Sequence, residues 1–289
     1  MALAIEKLKA WTLLEAFNRL ETDAVNIGDR DLAAGLTFLR VLADSARFPF
    51  LSANLVDAAG QPVFKPAVVV EKYGLRVGLI GASSVLPPGD DYRFLPLMPA
   101  VKREVEGLRL EVDVVAVLFH GTDADRDSLA TSGLPIDFIF HSHVERFNPS
   151  LGQGRLPVIN LGKEGRDLNV VSVEIRSPGE PLVNLTKPKK DLESVKRAIR
   201  RFDRKRPESQ KLEEFYAEQP NVLETIRTLR ERETQARTAI ENARNTLEYE
   251  RVSLDGSYGD DREMLELVNR TLEAVEAADI QAPAAHAAH

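Results

Sequence analysis

From Val114 to Phe119 the chain places Val, Val, Ala, Val, Leu and Phe in unbroken succession. A strand with water on one face alternates apolar and polar residues. An uninterrupted β-branched run instead demands cover on both faces, the environment of a central strand in a layered α/β domain. The grammar up to about Val183 agrees. Short β-rich runs predict strands over Asp23–Ile27, Phe50–Ala53, Ala67–Glu71, Leu75–Gly81, Val112–Phe119, Ile136–Phe140, Leu156–Asn160 and Asn169–Ile175. Helices fit Leu32–Ser45, Pro99–Leu110 and Ala124–Ser132 between them. Val68 to Ile80 reads as a hairpin turning at Lys72-Tyr73-Gly74. Met1 to Leu20 has the apolar spacing of an amphipathic helix. Glu6, Lys7, Lys9 and Glu15 stand where an export signal would be apolar, so the reading expects no signal peptide.

After Pro181 long charged helices replace the strands. Asp191 reads as a cap of the first, and Pro207 and Pro220 punctuate it and its successor. Val222, Ile226, Leu229, Ala236, Ile240, Ala243 and Leu247 follow three-and-four spacing, and Leu265, Val268, Leu272 and Val275 do so again after the turn-like Asp255 to Asp260. This predicts a helical hairpin with coiled-coil character and offers a route to a homo-oligomer. The expected domains are therefore 1–186, α/β, and 187–289, helical, with an Ala-rich disordered tail from Ala282. The basic stretch Lys196, Arg197, Arg200, Arg201, Arg204, Lys205 and Arg206 offers contacts to phosphates or anionic surfaces as one reading. Interspersed Glu193, Asp203 and Glu208 make a solvated helix face the favoured one.

Bulk properties narrow the function. A net charge of −7 over 289 residues argues against a general nucleic-acid binder. The absence of cysteine excludes thiolate metal sites and thiol nucleophiles. No apolar run approaches the roughly 18 to 20 residues of a membrane span.

Three of the five histidines fall at the ends of predicted buried strands: His120 after Phe119, and His141 and His143 around Ser142 after Phe140. Loops beyond the carboxyl ends of strands are where α/β proteins collect ligands. A metal or phosphate site is one reading, and three loop histidines with ordinary hydrogen bonds is the other. Gly28-Asp29-Arg30-Asp31 follows the strand ending at Ile27. Asp31 reads as the cap of the next helix, while Asp29 would serve as a hard oxygen ligand and Arg30 as a bidentate phosphate clamp.

Ala24 to Gly35 resembles the 5'-nucleotidase block Gly-Asn-His-Glu-Phe-Asp-x-Gly. Phe48-Pro49-Phe50-Leu51-Ser52-Ala53-Asn54 is similar to that family's Phe-Pro-x-Leu-x-Ala-Asn, and Gly74 to Gly81 to its Gly-x-Lys-Val-Gly-x-Ile-Gly strand. Phe119-His120-Gly121 resembles its strand-end histidine, and Pro135 to His143 its Ile-Asp-x-Ile-x-Gly-His-Ser-His motif. These blocks run collinearly from about Ala16 to Ile175. The chain is thus similar to the 5'-nucleotidase branch of the calcineurin-like metallophosphoesterases.

The resemblance implies a metallophosphoesterase-like layered α/β sandwich, incomplete at its N-terminus, and hydrolysis of small phosphomonoesters such as nucleotides. It also implies a periplasmic location, which the lack of a signal peptide in this chain leaves open. Departures are equally clear. The family's Asp-x-His and Gly-Asp strands have no counterpart here, Asp29 stands for its Asn, Arg30 for its His, and Phe140 for the Gly before His141. What remains implies one Mn, Zn or Fe ion on Asp29, His120 and His141, with His143 near a second, depleted position. Two alternatives stay open: a gene model that starts late, and a remnant without activity or metal that serves binding or assembly through its helices.

Overall fold

The computed structural model describes residues 2–85, 87–143, 156–160 and 165–280. In chain order the elements are α1 (Ala2–Arg19), β1 (Val25–Asn26), a 3-10 turn (Arg30–Leu32), α2 (Leu36–Ser45), β2 (Phe50–Leu51), β3 (Leu55–Asp57), β4 (Ala67–Lys72), β5 (Leu75–Ser83), β6 (Tyr92–Phe94), α3 (Leu97–Leu108), β7 (Val114–His120), α4 (Asp123–Thr131), β8 (Phe138–Ser142), β9 (Val158–Ile159), β10 (Asp167–Glu174), β11 (Leu182–Asn184), α5 (Thr186–Asp203), α6 (Leu212–Phe215), α7 (Pro220–Asn242), β12 (Asn245–Ser253) and α8 (Arg262–Ile280). They divide into two compact units. One comprises Met1–Phe147, Ile159–Asp167 and Ser253–His289, the other Asn148–Val158 and Leu168–Val252.

The first unit is built on a sheet of order β4-β5-β7-β8-β9. β5, β7 and β8 are parallel, and β4 returns antiparallel to β5 through a two-residue turn. Tyr73 and Gly74 both have positive φ, 52° and 81°, the signature of the tight turn whose twist matches a hairpin. β7 is the central strand its sequence demands, with Val114, Val115, Ala116, Val117 and Phe119 all buried. The short parallel pair β1-β2 lies against the end of β5, where the Asn26 side-chain amide donates to the Ala82 carbonyl at 3.1 Å. Ile27, Leu32, Leu36, Leu39, Leu55 and Tyr92 form an apolar cluster beside it. β3 and β6, a small antiparallel pair, went unpredicted because three-residue strands carry too little pattern.

Two local expectations are corrected. The Asp31 carboxylate does not cap α2. It turns back to accept the Gly28 N–H at 2.7 Å, and α2 begins after Gly35, whose φ of 85° suits glycine. Gly81 marks a close approach inside β5: a Cβ there would lie 2.6 Å from Leu51 Cβ and 2.7 Å from both Asn26 Oδ1 and Leu51 O. Gly81→Ala should therefore destabilise the fold by about 1–3 kcal/mol through overpacking. Gly107→Ala, in α3 with open space around it, should stabilise by up to about 1 kcal/mol. Urea denaturation of both variants checks the contrast.

In the second unit β10, β12 and β11 form a sheet in that order, and β11 runs parallel to β12. The expectation of helix through Leu247 fails at Ala243. Asn245, Leu247 and Tyr249 are buried in alternation along β12, and a four-residue spacing between Ala243 and Leu247 fits a strand as well as a helix. Asn245 is a fixed point: its side chain accepts from the N–H groups of Arg176 and Ser177 at 2.9 Å each. It also donates to the carbonyls of Ser177 at 2.8 Å and Glu180 at 2.7 Å.

A helical hairpin is present, but its members are α5 and α7, which enclose Val195, Ile199, Leu212, Tyr216 and Ile226. The α8 helix instead packs on α1 in the first unit, where Thr12 and Thr271 meet through their hydroxyls at 2.7 Å. Asp191 lies inside α5 rather than at its start; it pairs with Lys187 and with Arg232 of α7, the latter at 2.7 Å. The Lys187 ammonium, with Arg232 behind it, holds the Asp191 carboxyl below its usual range against the opposing effect of burial. A depressed folded-state pKa contributes stability above the unfolded value and loses it as pH falls. Asp191→Asn should cost about 0.5–1 kcal/mol at neutral pH, and the difference should close as pH falls through about 4 and below, measured by chemical denaturation.

Candidate metal centre

β1, β5, β7 and β8 deliver their carboxyl ends to one place. Ser83, the last residue of β5, donates its hydroxyl to the Ile27 carbonyl at 2.5 Å and so fixes the chain just before Gly28 and Asp29. Asn54 holds Ser83 in turn, accepting its N–H at 3.2 Å and donating to its carbonyl at 2.7 Å. The parallel register then sets His120 beside Ser83 on one side and Ser142 on the other.

His120 Nδ1 lies 3.0 Å from Ser142 Oγ, and His120 Nε2 lies 3.1 Å from Asp29 Oδ1. The Asp29 N–H also points at Nε2, 3.4 Å away. Gly28 permits this: a Cβ there would sit 3.1 Å from two atoms of the His120 ring. The His143 ring meets that of His120 edge-on, with centroids 5.0 Å apart. One ligand atom from each of Asp29, His120 and His143 falls within 4.8 Å of the other two.

Proton bookkeeping gives this cluster its character. The Ser142 hydroxyl donates to the Phe119 carbonyl at 3.4 Å, so its oxygen accepts, which assigns the proton of His120 to Nδ1. Nε2 then presents a lone pair to the Asp29 carboxylate. Two acceptors at that distance repel unless a proton or a metal ion lies between them. Burial lowers the His120 pKa against the pull of Asp29, with His143 adding to the depression, which favours a neutral ring. The residues present thus fit a divalent cation, with a carboxylate and two imidazoles as donors.

The sequence reading grouped His141 with Asp29 and His120; the structure groups His143 with them. His143 has a φ of 66°, which breaks the strand alternation that would have kept the two histidines on one face. His141 is buried, stacks on Phe119 with centroids 5.4 Å apart, and has Nε2 against the Gly121 carbonyl at 2.9 Å. Its Nδ1 is buried with no hydrogen-bond partner among the described residues, so a second lone pair remains unclaimed. Arg30 is exposed beside Asp29, in the 3-10 turn, and its guanidinium has no ion pair among the described residues. Ser142, Ser83 and Asn54 were missed as site residues. Ser142 sat in plain view between the two histidines, but only the register shows that it faces His120.

No family model matches the chain. Its structure is similar to that of the calcineurin-like phosphoesterase YfkN from Bacillus subtilis, with a TM-score of 0.58 and 17% identity over 94% of this chain and 78% of that one. It is also similar to the 5'-nucleotidase precursor from Thermus thermophilus, with a TM-score of 0.50 and 23% identity over 61% of this chain and 40% of that one. The fold is that of the calcineurin-like phosphoesterases.

In sequence the chain is 29% identical over 154 residues to a probable 5'-nucleotidase of Treponema pallidum (strain Nichols), covering 49% of this chain and 26% of that protein. It is 32% identical over 77 residues to a 2',3'-cyclic-nucleotide 2'-phosphodiesterase/3'-nucleotidase of Yersinia enterocolitica, covering 23% of this chain and 12% of that protein. These relatives support the 5'-nucleotidase branch, and the matched stretch is a minor part of either.

The tautomer assignment is directly measurable. Nitrogen-15 NMR of the metal-free chain should show His120 in the Nδ1–H form, and Ser142→Ala should shift it toward Nε2–H. An Nε2–H form in the unsubstituted chain would contradict the assignment.

Proposed function

We propose that the chain is a metal-dependent phosphoric monoester hydrolase of 5'-nucleotidase-like type, acting on small phosphorylated substrates such as nucleotides. The observation that carries this reading is the convergence of Asp29, His120 and His143 at the carboxyl ends of the strands, with His120 Nε2 3.1 Å from Asp29 Oδ1. Asp29, His120 and His143 would hold one Mn, Zn or Fe ion, and the free Nδ1 of His141 keeps that residue in the candidate ligand set. A divalent ion bound there supplies a Lewis acid for a phosphoryl oxygen and an acidified water.

The chain's own residues do the rest. Asp29 contributes a hard oxygen and a negative charge. Ser142 orients the His120 ring so that Nε2 is presented as a lone pair, the role that hydrogen-bonded neighbours play for ligating histidines generally. Arg30, exposed one residue from Asp29, is suited to grip two phosphoryl oxygens at once. A guanidinium is a poor proton donor to a leaving alkoxide, so its part is binding and charge stabilisation.

The test uses a chain with His286 and His289 replaced by alanine, since both are further imidazoles in the sequence. Calorimetry should show one Zn or Mn bound per chain, weakened at least about tenfold in Asp29→Asn, His120→Ala and His143→Ala. Hydrolysis of p-nitrophenyl phosphate should vanish on chelation and in His120→Ala, while Arg30→Ala should raise KM. Neither metal nor turnover would leave the fold standing without this reaction.

A further inference from the structure

The α5 helix buries Val195 and Ile199 and packs Phe202 into the cluster shared with α7. At 3.6 residues per turn, Arg197, Arg200, Arg201 and Arg204 fall on the opposite side, in line with Lys190 further up the helix. All five are exposed. None of the four arginines makes an ion pair among the described residues, and the Lys190 ammonium lies 6.0 Å from the Tyr249 ring centroid. The carboxylates within this stretch are already engaged: Asp191 by Lys187 and Arg232, Glu193 by Lys196 at 2.9 Å, and Asp203 by Arg206 at 3.0 Å. Glu193 lies on the same exposed face and feels Arg197 and Arg200 as well as Lys196, so the stripe carries one carboxylate among five cations. In a chain of net charge −7, this net cationic face about 21 Å long is a local concentration of charge.

We propose that this stripe docks the chain onto an anionic lipid surface. Four of its five cations are arginines, whose planar forks pair with phosphate through two hydrogen bonds. The stripe runs along the exposed side of a single helix, which would set its cations against an array of headgroups. The apolar side of α5 is occupied by α7, so attachment is electrostatic and the helix stays out of the hydrocarbon.

Nucleic acid fits less well. The stripe has no aromatic ring on which bases could stack, and no Asn or Gln to read a base edge. Each basic residue close to an anionic bilayer strengthens partition about fivefold, and only charges within a Debye length of about 8–10 Å contribute. The local excess of charge therefore decides binding, whatever the net charge of the chain.

The experiment is co-sedimentation of the full chain with phosphatidylcholine vesicles, with and without about a third phosphatidylglycerol. Binding to the anionic vesicles, lost at about 0.5 M salt, is expected. The charge reversal R197E/R200E/R201E/R204E should reduce it at least tenfold, whereas replacing the same four by lysine should retain most of it. Circular dichroism verifies that both variants keep their helix content, and Lys187→Glu, away from the unpaired stripe, controls for overall charge. Equal binding by the reversed variant, no sedimentation of the unsubstituted chain at low salt, or stronger binding to a DNA duplex of matched charge would each overturn the proposal.

Discussion

The parallel pairing of β7 with β8 sets His120 opposite Ser142, and the arrangement of the site follows from that register. A slip of one residue would turn His120 to the other face of the sheet and take its Nδ1 away from the hydroxyl that holds it. The register is secured by burial of Val115, Val117, Phe119 and Ile139, none of which can be exposed without losing core area. An apolar requirement deep in the sheet thus positions a polar group at its end. At the other nitrogen the same ring faces the Asp29 carboxylate at 3.1 Å, and His143 closes the group to within 4.8 Å.

Buried polar groups hold the neighbouring strand ends in place. Asn54 and Ser83 are both almost fully buried and satisfy one another through backbone and side chain, while Ser83 reaches across to the Ile27 carbonyl. Such a network is costly if any member is removed, because the partners left behind remain dehydrated. It positions the loop of Gly28 and Asp29. Gly28 and Gly81 are the complementary spatial requirement, since a side chain at either would enter space that the His120 ring or the Leu51 backbone occupies.

Much of this was legible in the sequence. The unbroken Val114 to Phe119 run announced a central strand, the Tyr73-Gly74 turn a hairpin, and the collinear motifs the phosphoesterase fold. What was not legible depended on pairing. Periodicity cannot distinguish a four-residue apolar spacing in a helix from one in a strand, so β12 was read as the end of a helix. Nor can it say which helices pack, so α8 was matched with α7 rather than α1. At the site the positive φ of His143 and the inward turn of Asp31 are backbone facts that local composition did not encode. The free Nδ1 of His141 could only be found by accounting for every buried polar atom.

The proposed cation site lies between His120 Nε2 and the Asp29 carboxylate. X-ray absorption at the zinc edge, on the chain with His286 and His289 replaced, tests it most directly. The account predicts a first shell containing at least two imidazoles together with carboxylate oxygen, and loss of one imidazole in His120→Ala. A shell of oxygen alone, or a spectrum that His120→Ala leaves unchanged, would contradict it.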